Sequence, residues 1–147
     1  MPQDPTARHT LTVRPQPADI DGLQHTNNAV YVQWCEKIAW AHSEALGLGL
    51  ADYQRLDRAM AIRHADYDYL LPSVLGDEMR LATWLPASGG QLTMERHFEL
   101  TRATPDGSRE TVMRGRWALV CIELSSGRPR RMPAEFARVY LAAATGP

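Results

Sequence analysis

The chain has 147 residues, 44% of them hydrophobic, and its 16 Lys and Arg residues nearly balance its 17 Asp and Glu residues. This length and composition predict one domain with a substantial core, and the balanced charge argues against nucleic acid or an anionic membrane as a partner. No apolar run approaches the ~20 residues of a membrane span, and the N-terminus lacks the features of a signal peptide. Cys35 and Cys121 fall in apolar segments, which favours buried free thiols over a disulfide. We therefore expect a cytoplasmic protein.

The first third of the chain predicts a short strand and one long helix. Residues 1–8 are expected to be a disordered lead-in, and the alternating segment 9–15 reads as a strand that ends at a proline. A polar loop then leads into a helix over residues 28–46, with good N-cap types before it and Gly47 at its C-cap. Apolar residues cover this helix nearly all round, which is typical of a helix enclosed by a sheet.

The remainder of the chain predicts four more strands joined by turns. They cover residues 60–71, 78–85, 92–100 and 110–123, with a short helical piece at 51–56 before them and turns at 72–77, 88–90, 105–108 and 125–127. In the first of these strands the alternation places Met60, Ile62 and His64 on one side. Pro133 is expected to open a terminal helix that runs to residue 144. The order predicts an α+β domain over residues 9–147, with a curved antiparallel sheet around the long helix.

The loop before the long helix contains the most reactive side chains, and its pattern resembles a known family. It reads Asp19-Ile20-Asp21-Gly22-Leu23-Gln24-His25-Thr26-Asn27-Asn28-Ala29-Val30-Tyr31. This stretch resembles the D-x-D-x-x-x-H-x-N-N-x-x-Y signature of hotdog-fold acyl-CoA thioesterases of the 4-hydroxybenzoyl-CoA thioesterase-like group. Plant acyl-ACP thioesterases have a similar stretch. Further matches are Tyr69-Leu70-Leu71-Pro72 before Gly76-Asp77, and the late strand at 117–122, so the resemblance covers most of the chain.

Three positions depart from the family pattern. Gln24 stands where many members have Gly, and Thr26 stands where Val is more usual. Leu23 occupies the place of an Asn assigned to catalysis in the acyl-ACP enzymes. None of these changes removes the carboxylate of Asp21.

The resemblance implies a hotdog fold in which an antiparallel curved sheet wraps around one long central helix. It also implies a homodimer or homotetramer with active sites at the subunit interface. The implied activity is hydrolysis of acyl-CoA thioesters without a metal or other cofactor, with Asp21 as the catalytic acidic residue.

The residues themselves suit this reaction. A carboxylate can act as a general base or as a nucleophile, and unpaired N–H groups at a helix N-terminus can bind the oxyanion that develops. We predict that Asp21 has the first role and that N–H groups around Asn27, Asn28 and Ala29 have the second. His25 and the two Asn side chains would shape the loop or contact the thioester. The structural alternative for these side chains is turn formation and helix capping.

Three further residues are candidates for the acyl pocket. Tyr31 and Trp34 lie on the apolar side of the helix, where they could line the pocket or serve as core or subunit contacts. His64, on the second strand, could reach the site across an interface or be an ordinary hydrogen-bonded histidine.

A CoA substrate would bring phosphate groups, for which arginine is a suitable partner. Arg128, Arg130 and Arg131 follow the last turn and could meet these phosphates; the alternative is an exposed surface of an arginine-rich protein.

Rival chemistries lack their motifs, since the sequence has no G-x-S-x-G, H-E-x-x-H or C-x-x-C pattern. The remaining alternatives are a non-hydrolytic acyl-thioester binder or structural hotdog subunit, an acyl-ACP thioesterase, and the related hydratase chemistry, whose Asp/His pair is not found here.

Overall fold

The structure, a computed structural model, describes residues 4–87 and 90–144. In chain order its elements are β1 (His9–Val13), a 3-10 turn (Pro17–Asp19), α1 (Asn28–Leu46), α2 (Leu50–Leu56), β2 (Arg58–Tyr69), β3 (Met79–Trp84), β4 (Thr93–Ala103), β5 (Arg109–Glu123) and α3 (Ala134–Ala143). The five strands form one sheet in the order β1-β3-β4-β5-β2, and every neighbouring pair is antiparallel. The predicted α+β arrangement is confirmed. Parts of the predicted lead-in (1–3) and of the 88–90 turn (88–89) lie outside the described residues.

Helix α1 has the predicted bounds because its two caps are well defined. The Asn27 side chain accepts a hydrogen bond from the Ala29 N–H at 2.9 Å, and Gly47 ends the helix in the left-handed conformation with φ 106°. Cys35 and Ile38 are completely buried against the sheet. A fully buried side chain of this size contributes about 1.5–3 kcal/mol relative to an exposed one. The helix is therefore a central part of the core.

The core lies between α1, the inner face of the sheet and α3. Its largest fully buried side chains are Tyr140, Phe98, Phe136, Ile38, Leu48, Met79, Leu81, Leu85, Leu100 and Met113. Cys35 and Cys121 belong to this core and are both free thiols, as predicted. No helix within residues 4–87 and 90–144 is long and apolar enough to span a membrane.

Strand β2 contains an irregularity that the sequence pattern does not reveal. Ile62 pairs with Leu119 on β5, whereas His64 pairs with Ala118, the adjacent residue, so the pairing shifts by one between them. Such a bulge places Ile62 and His64 on opposite faces of the sheet. The prediction that Met60, Ile62 and His64 share one side is therefore wrong at His64, because simple alternation does not account for an extra residue in the strand.

Strand β2 is also an edge of the sheet, since it pairs with β5 on one side only. Ile62 and Tyr69 on this strand are 42% and 43% exposed. The end of β2 leads directly into the loop 70–78, which forms one wall of the candidate site. The edge strand therefore lies directly before one wall of the candidate site.

Candidate active site

The loop before α1 is a closed turn whose backbone N–H groups hold one oxygen of the Asp21 carboxylate. The Asp21 N–H donates to the His25 carbonyl at 2.9 Å, and Ile20 forms a β-bridge with Thr26. Gln24 closes the turn with φ 65°, in the left-handed region. The glycine that is usual there in the family adopts such a φ without steric cost, whereas Gln24 adopts it at a cost.

Buried hydroxyl groups fix this loop to the loop 70–78. The Thr26 N–H donates to the Ser73 carbonyl at 2.8 Å, and the Ser73 hydroxyl donates to Thr26 Oγ1 at 2.6 Å. The Tyr31 hydroxyl lies 2.7 Å from Ser73 Oγ. All three residues are at most 3% exposed. Buried polar groups need hydrogen-bond partners. Ser73 supplies the partner for the Thr26 hydroxyl, which stands where the family usually has Val.

The loop 70–78 is in turn held by Arg102. Its Nη1 donates to the Pro72 carbonyl at 3.0 Å and to Asp77 Oδ2 at 2.9 Å, and its Nη2 lies 2.8 Å from Glu110 Oε1. Asp77 also accepts from the Val74 N–H at 2.9 Å. Sequence reasoning missed Ser73 and Arg102 as supports of the site. The only signal was the Pro72 to Asp77 stretch, which supported the fold alone.

The two loops enclose a cleft of about 370 Å³ at the N-terminus of α1. Five predicted site residues line it together: Asp21, His25, Asn27, Asn28 and Tyr31. The opposite wall consists of the chain from Tyr69 to Pro72. The cleft therefore combines a carboxylate, a helix N-terminus and an apolar wall, which is the combination that a polar reaction on an apolar substrate requires.

The Asp21 carboxylate is oriented by its own loop. Its Oδ1 accepts from the Leu23 N–H at 2.9 Å and from the His25 N–H at 3.4 Å. Its second oxygen has no hydrogen-bond partner among the described residues. One oxygen thus fixes the side chain, and the other remains available to a molecule in the cleft.

The first turn of α1 offers one unused N–H group. The Asn27 N–H donates to the Asp19 carbonyl, the Ala29 N–H to the Asn27 side chain and the Val30 N–H to the Asn27 carbonyl. The Asn28 N–H donates to no group in the described part of the chain. Of the N–H groups predicted to bind an oxyanion, those of Asn27 and Ala29 are already used. Only the Asn28 N–H is left as a candidate.

Other candidates take different places. Trp34 is half-buried and packs edge-on against Tyr31, with ring centres 5.6 Å apart, and it does not line the cleft. His64 lies on the outer face of the sheet, with Nε2 3.1 Å from Asp66 Oδ1. Asp19 accepts from the Gln16 N–H and so supports the 3-10 turn. Within one chain none of these side chains contributes to the cleft.

The arginine cluster lies at the far end of β2 from the cleft. Arg128, Arg130 and Arg131 belong to the exposed segment after β5, whose Glu123 pairs with Arg58 at the start of β2. The cleft lies beyond Tyr69 at the end of the strand, and 11 residue steps of β-strand span about 36 Å. Within one chain the cluster and the cleft are therefore far apart.

Neither buried cysteine lines this cleft. Burial raises the pKa of the Cys35 thiol to about 12, so at neutral pH it is protonated and a poor nucleophile. Among residues 4–87 and 90–144, no three His, Cys, Asp or Glu side chains are grouped in a way that could hold a metal ion.

Comparison with known proteins agrees with the fold. The structure is similar to a 1,4-dihydroxy-2-naphthoyl-CoA thioesterase from Synechocystis, with a TM-score of 0.78 and 18% identity over 91% of this chain and 96% of that one. It is similar to a 4-hydroxybenzoyl-CoA thioesterase variant, with an Asp-to-Asn change, in complex with 4-hydroxybenzoyl-CoA (TM-score 0.77, 17% identity, 90% and 98% of the chains). It is also similar to a Staphylococcus aureus protein in complex with CoA, with a TM-score of 0.82 and 17% identity over 97% of this chain and 89% of that one.

The sheet order and the long helix define a hotdog fold, as predicted. Residues 15–139 match the sequence model of the thioesterase-like superfamily. The chain belongs to this superfamily. No curated protein sequence matches the chain significantly.

Proposed function

We propose that the protein hydrolyses acyl-CoA thioesters to the free acid and CoA in the cleft at the start of α1. The observation that carries this proposal is that Asp21, whose carboxylate has an unpaired oxygen, and Asn28, whose backbone N–H is unused, line the same cleft. A thioester carbonyl between them would meet a base or nucleophile on one side and a hydrogen-bond donor on the other.

The reaction can follow two routes with the same residues. With Asp21 as general base, the carboxylate takes a proton from water, the hydroxide attacks the carbonyl carbon, and the C–S bond breaks to release the CoA thiolate, which is then protonated. With Asp21 as nucleophile, its oxygen forms a mixed anhydride as the thiolate leaves, and water then hydrolyses the anhydride. In both routes the negative oxygen of the tetrahedral intermediate accepts from the Asn28 N–H, where the helix dipole also favours negative charge.

We further propose that the working form is at least a homodimer in which two β2 strands pair across a two-fold axis. Such pairing is antiparallel, so the start of one β2 lies beside the end of the other. The partner's arginine cluster would then approach this chain's cleft, where arginines can bind the phosphates of CoA. The exposed apolar side chains around the cleft, Leu23, Leu70, Val74 and Leu75, support a covering partner.

The test of the activity is thiol release from a panel of aromatic and aliphatic acyl-CoAs by wild type and Asp21→Asn. The Asn amide oxygen can still accept the loop N–H bonds, so the change removes the charge and leaves the turn. We expect kcat to fall by at least ~100-fold, because general base catalysis contributes about that much or more. Asp19→Asn is the matched control, since the Asp19 side chain supports only the 3-10 turn, and it should retain activity.

A second candidate function is non-hydrolytic binding of acyl thioesters. The observation that favours it is that Asp21 Oδ1 already accepts two loop N–H groups, as a purely structural Asp would. Full activity of Asp21→Asn would refute the proposed mechanism, and binding of acyl-CoAs by wild type without any turnover would establish the second candidate.

A further inference from the structure

A second cavity, of about 220 Å³, lies between α1 and the inner face of the sheet. It shares no lining residue with the Asp21 cleft. Most of its wall is apolar and comes from Ala39, Trp40, Met60, Ile62, Met94, Trp117 and Leu119. Its polar lining consists of Glu36, Ser43, Tyr53, Arg96 and Tyr140. The proposed hydrolysis makes no use of this space.

The unusual member of the lining is Arg96, a cation that is only 3% exposed. Its Nη1 contacts His42 Nδ1 at 2.8 Å and Thr83 Oγ1 at 3.1 Å. Burial and the neighbouring Arg96 lower the pKa of His42 to about 3, so this histidine is neutral at physiological pH. No carboxylate of residues 4–87 or 90–144 forms an ion pair with Arg96. Its buried charge is therefore uncompensated.

Arg96 also has spare hydrogen-bond donors. A guanidinium has five N–H groups, and the contacts to His42 and Thr83 both use Nη1. Nε and Nη2 donate to no described group. Because Arg96 lines the cavity, these two nitrogens are the donors that it has left for a ligand there. Burial lowers the pKa of Arg96 to about 10, which leaves the group cationic at neutral pH.

The hydroxyl groups beside Arg96 satisfy one another. The Ser43 hydroxyl donates to the Leu48 carbonyl at 2.6 Å, so its oxygen accepts from Tyr140 at 2.7 Å, and Tyr140 in turn accepts from Tyr53 at 2.5 Å. Every proton of this chain of hydroxyls is used. Arg96 is thus the buried polar group of the lining that needs a partner, and the partner it needs is an anion.

We propose that this cavity binds a small organic acid, whose carboxylate pairs with Arg96 and whose apolar body lies against Met94, Trp117 and Leu119. The planar guanidinium fork matches a carboxylate, and the sheet places Trp117 directly opposite Arg96. A cavity of about 150 Å³ holds benzene, so about 220 Å³ suits a monocyclic aromatic acid. Glu36 lies seven residues, about 10 Å of helix, before Ser43, whose hydroxyl belongs to the group beside Arg96. This site does not depend on the proposed hydrolysis.

The first experiment compares two probes on the wild-type protein by isothermal titration calorimetry. The probes are 3-phenylpropionate and its amide, which have the same shape and differ in charge. We expect the acid to bind at least ~10-fold more tightly, because hydrogen bonds to a charged group contribute about 1.5–3 kcal/mol. Equal binding of the two probes, or no binding of the acid, would overturn the proposal.

Variants then locate the binding site. Arg96→Met should weaken binding of the acid by at least ~10-fold, whereas Arg116→Met, the same change at an exposed arginine, should not. Ala39→Leu adds volume inside the cavity and should also abolish tight binding. If Arg96→Met does not fold, the comparison of the two probes and the binding by Ala39→Leu together test whether the acid occupies this cavity. Unchanged binding by Ala39→Leu, or loss of binding in Asp21→Asn, would place the acid elsewhere and refute the proposal.

Discussion

At the scale of single residues, the site loop contains a backbone conformation that its side chain does not favour. Gln24 has φ 65°, in the left-handed region where a β-carbon meets the neighbouring carbonyl. The turn nevertheless has to close here, because the Asp21 N–H bonds to the His25 carbonyl and the Asp21 carboxylate accepts from two N–H groups within it. The conformation of Gln24 thus maintains the orientation of Asp21.

We expect Gln24→Gly to stabilise the protein by about 0.5–1 kcal/mol. The left-handed conformation costs a non-glycine residue roughly 1–2 kcal/mol, and the larger entropy loss of glycine on folding offsets part of the gain. Urea unfolding of the variant measures the difference. Gln16→Gly is the matched control. Gln16 is extended with φ −95°, so the same change there should destabilise the protein. A Gln24→Gly protein that is less stable than wild type would show that the turn is not strained.

At the scale of elements, the sequence predicts α1 fully and β2 only in part. The helix bounds follow from local signals: Asn27 and Gly47 as caps, and no Gly or Pro between them. The bulge in β2 has no such signal, because it depends on how the strand pairs with β5. The same holds for the status of β2 as an edge, which arises from the order of strands in the sheet.

The edge strand leads to a prediction on assembly. We expect wild-type protein to have at least twice the 16.5 kDa chain mass in light scattering coupled to size exclusion. Ile62→Lys places a charge on the exposed edge and should shift the protein towards the monomer. Leu141→Lys, at an exposed leucine on α3, is the control and should leave the mass unchanged. A wild-type monomer throughout a concentration series would exclude pairing through β2.

At the scale of the whole molecule, the site is assembled from distant parts of the chain. The contact between Thr26 and Ser73 joins residues 47 positions apart, and Arg102 reaches Pro72 across 30 positions. The motif around Asp21 pointed to the helix start because those residues are adjacent in sequence. No periodicity or spacing indicates Ser73, Arg102 or the buried Arg96, since their roles depend on tertiary contacts.

Buried histidine makes the stability of the whole molecule sensitive to acid. His42 has a pKa of about 3 in the folded protein against an ordinary value of 6.5, with burial as the main cause and Arg96 and His9 as further causes. The unfolded chain therefore takes up a proton that the folded chain does not. Above pH 6.5 His42 is neutral in both the folded and the unfolded chain, so it costs no stability. As the pH falls from 6.5 towards 3, the unfolded chain alone is protonated and the free energy of unfolding decreases.

We expect the free energy of unfolding to fall by up to about 1.4 kcal/mol per pH unit through His42 alone. Urea unfolding between pH 6.5 and about 5 measures this slope above the range in which carboxylates titrate. His42→Gln retains an acceptor for Arg96 and has no titrating ring, so its slope should be smaller. His9, whose pKa is also lowered by burial and by Arg96, accounts for part of the remaining slope. Equal slopes in the two proteins would contradict the assignment.

The most direct test of the central claim removes the Asn28 N–H and controls separately for the loss of the Asn28 side chain. Asn28 is the first residue of α1, a position where proline is favoured, and Asn27 has ψ 134°, which a following proline accepts. Asn28→Pro should therefore fold, and Asn28→Ala is the control that loses only the side chain. If the Asn28 N–H binds the oxyanion, kcat for acyl-CoA hydrolysis should fall by about 10²–10³ in Asn28→Pro and remain near wild type in Asn28→Ala. Equal activity of the two variants would contradict the account.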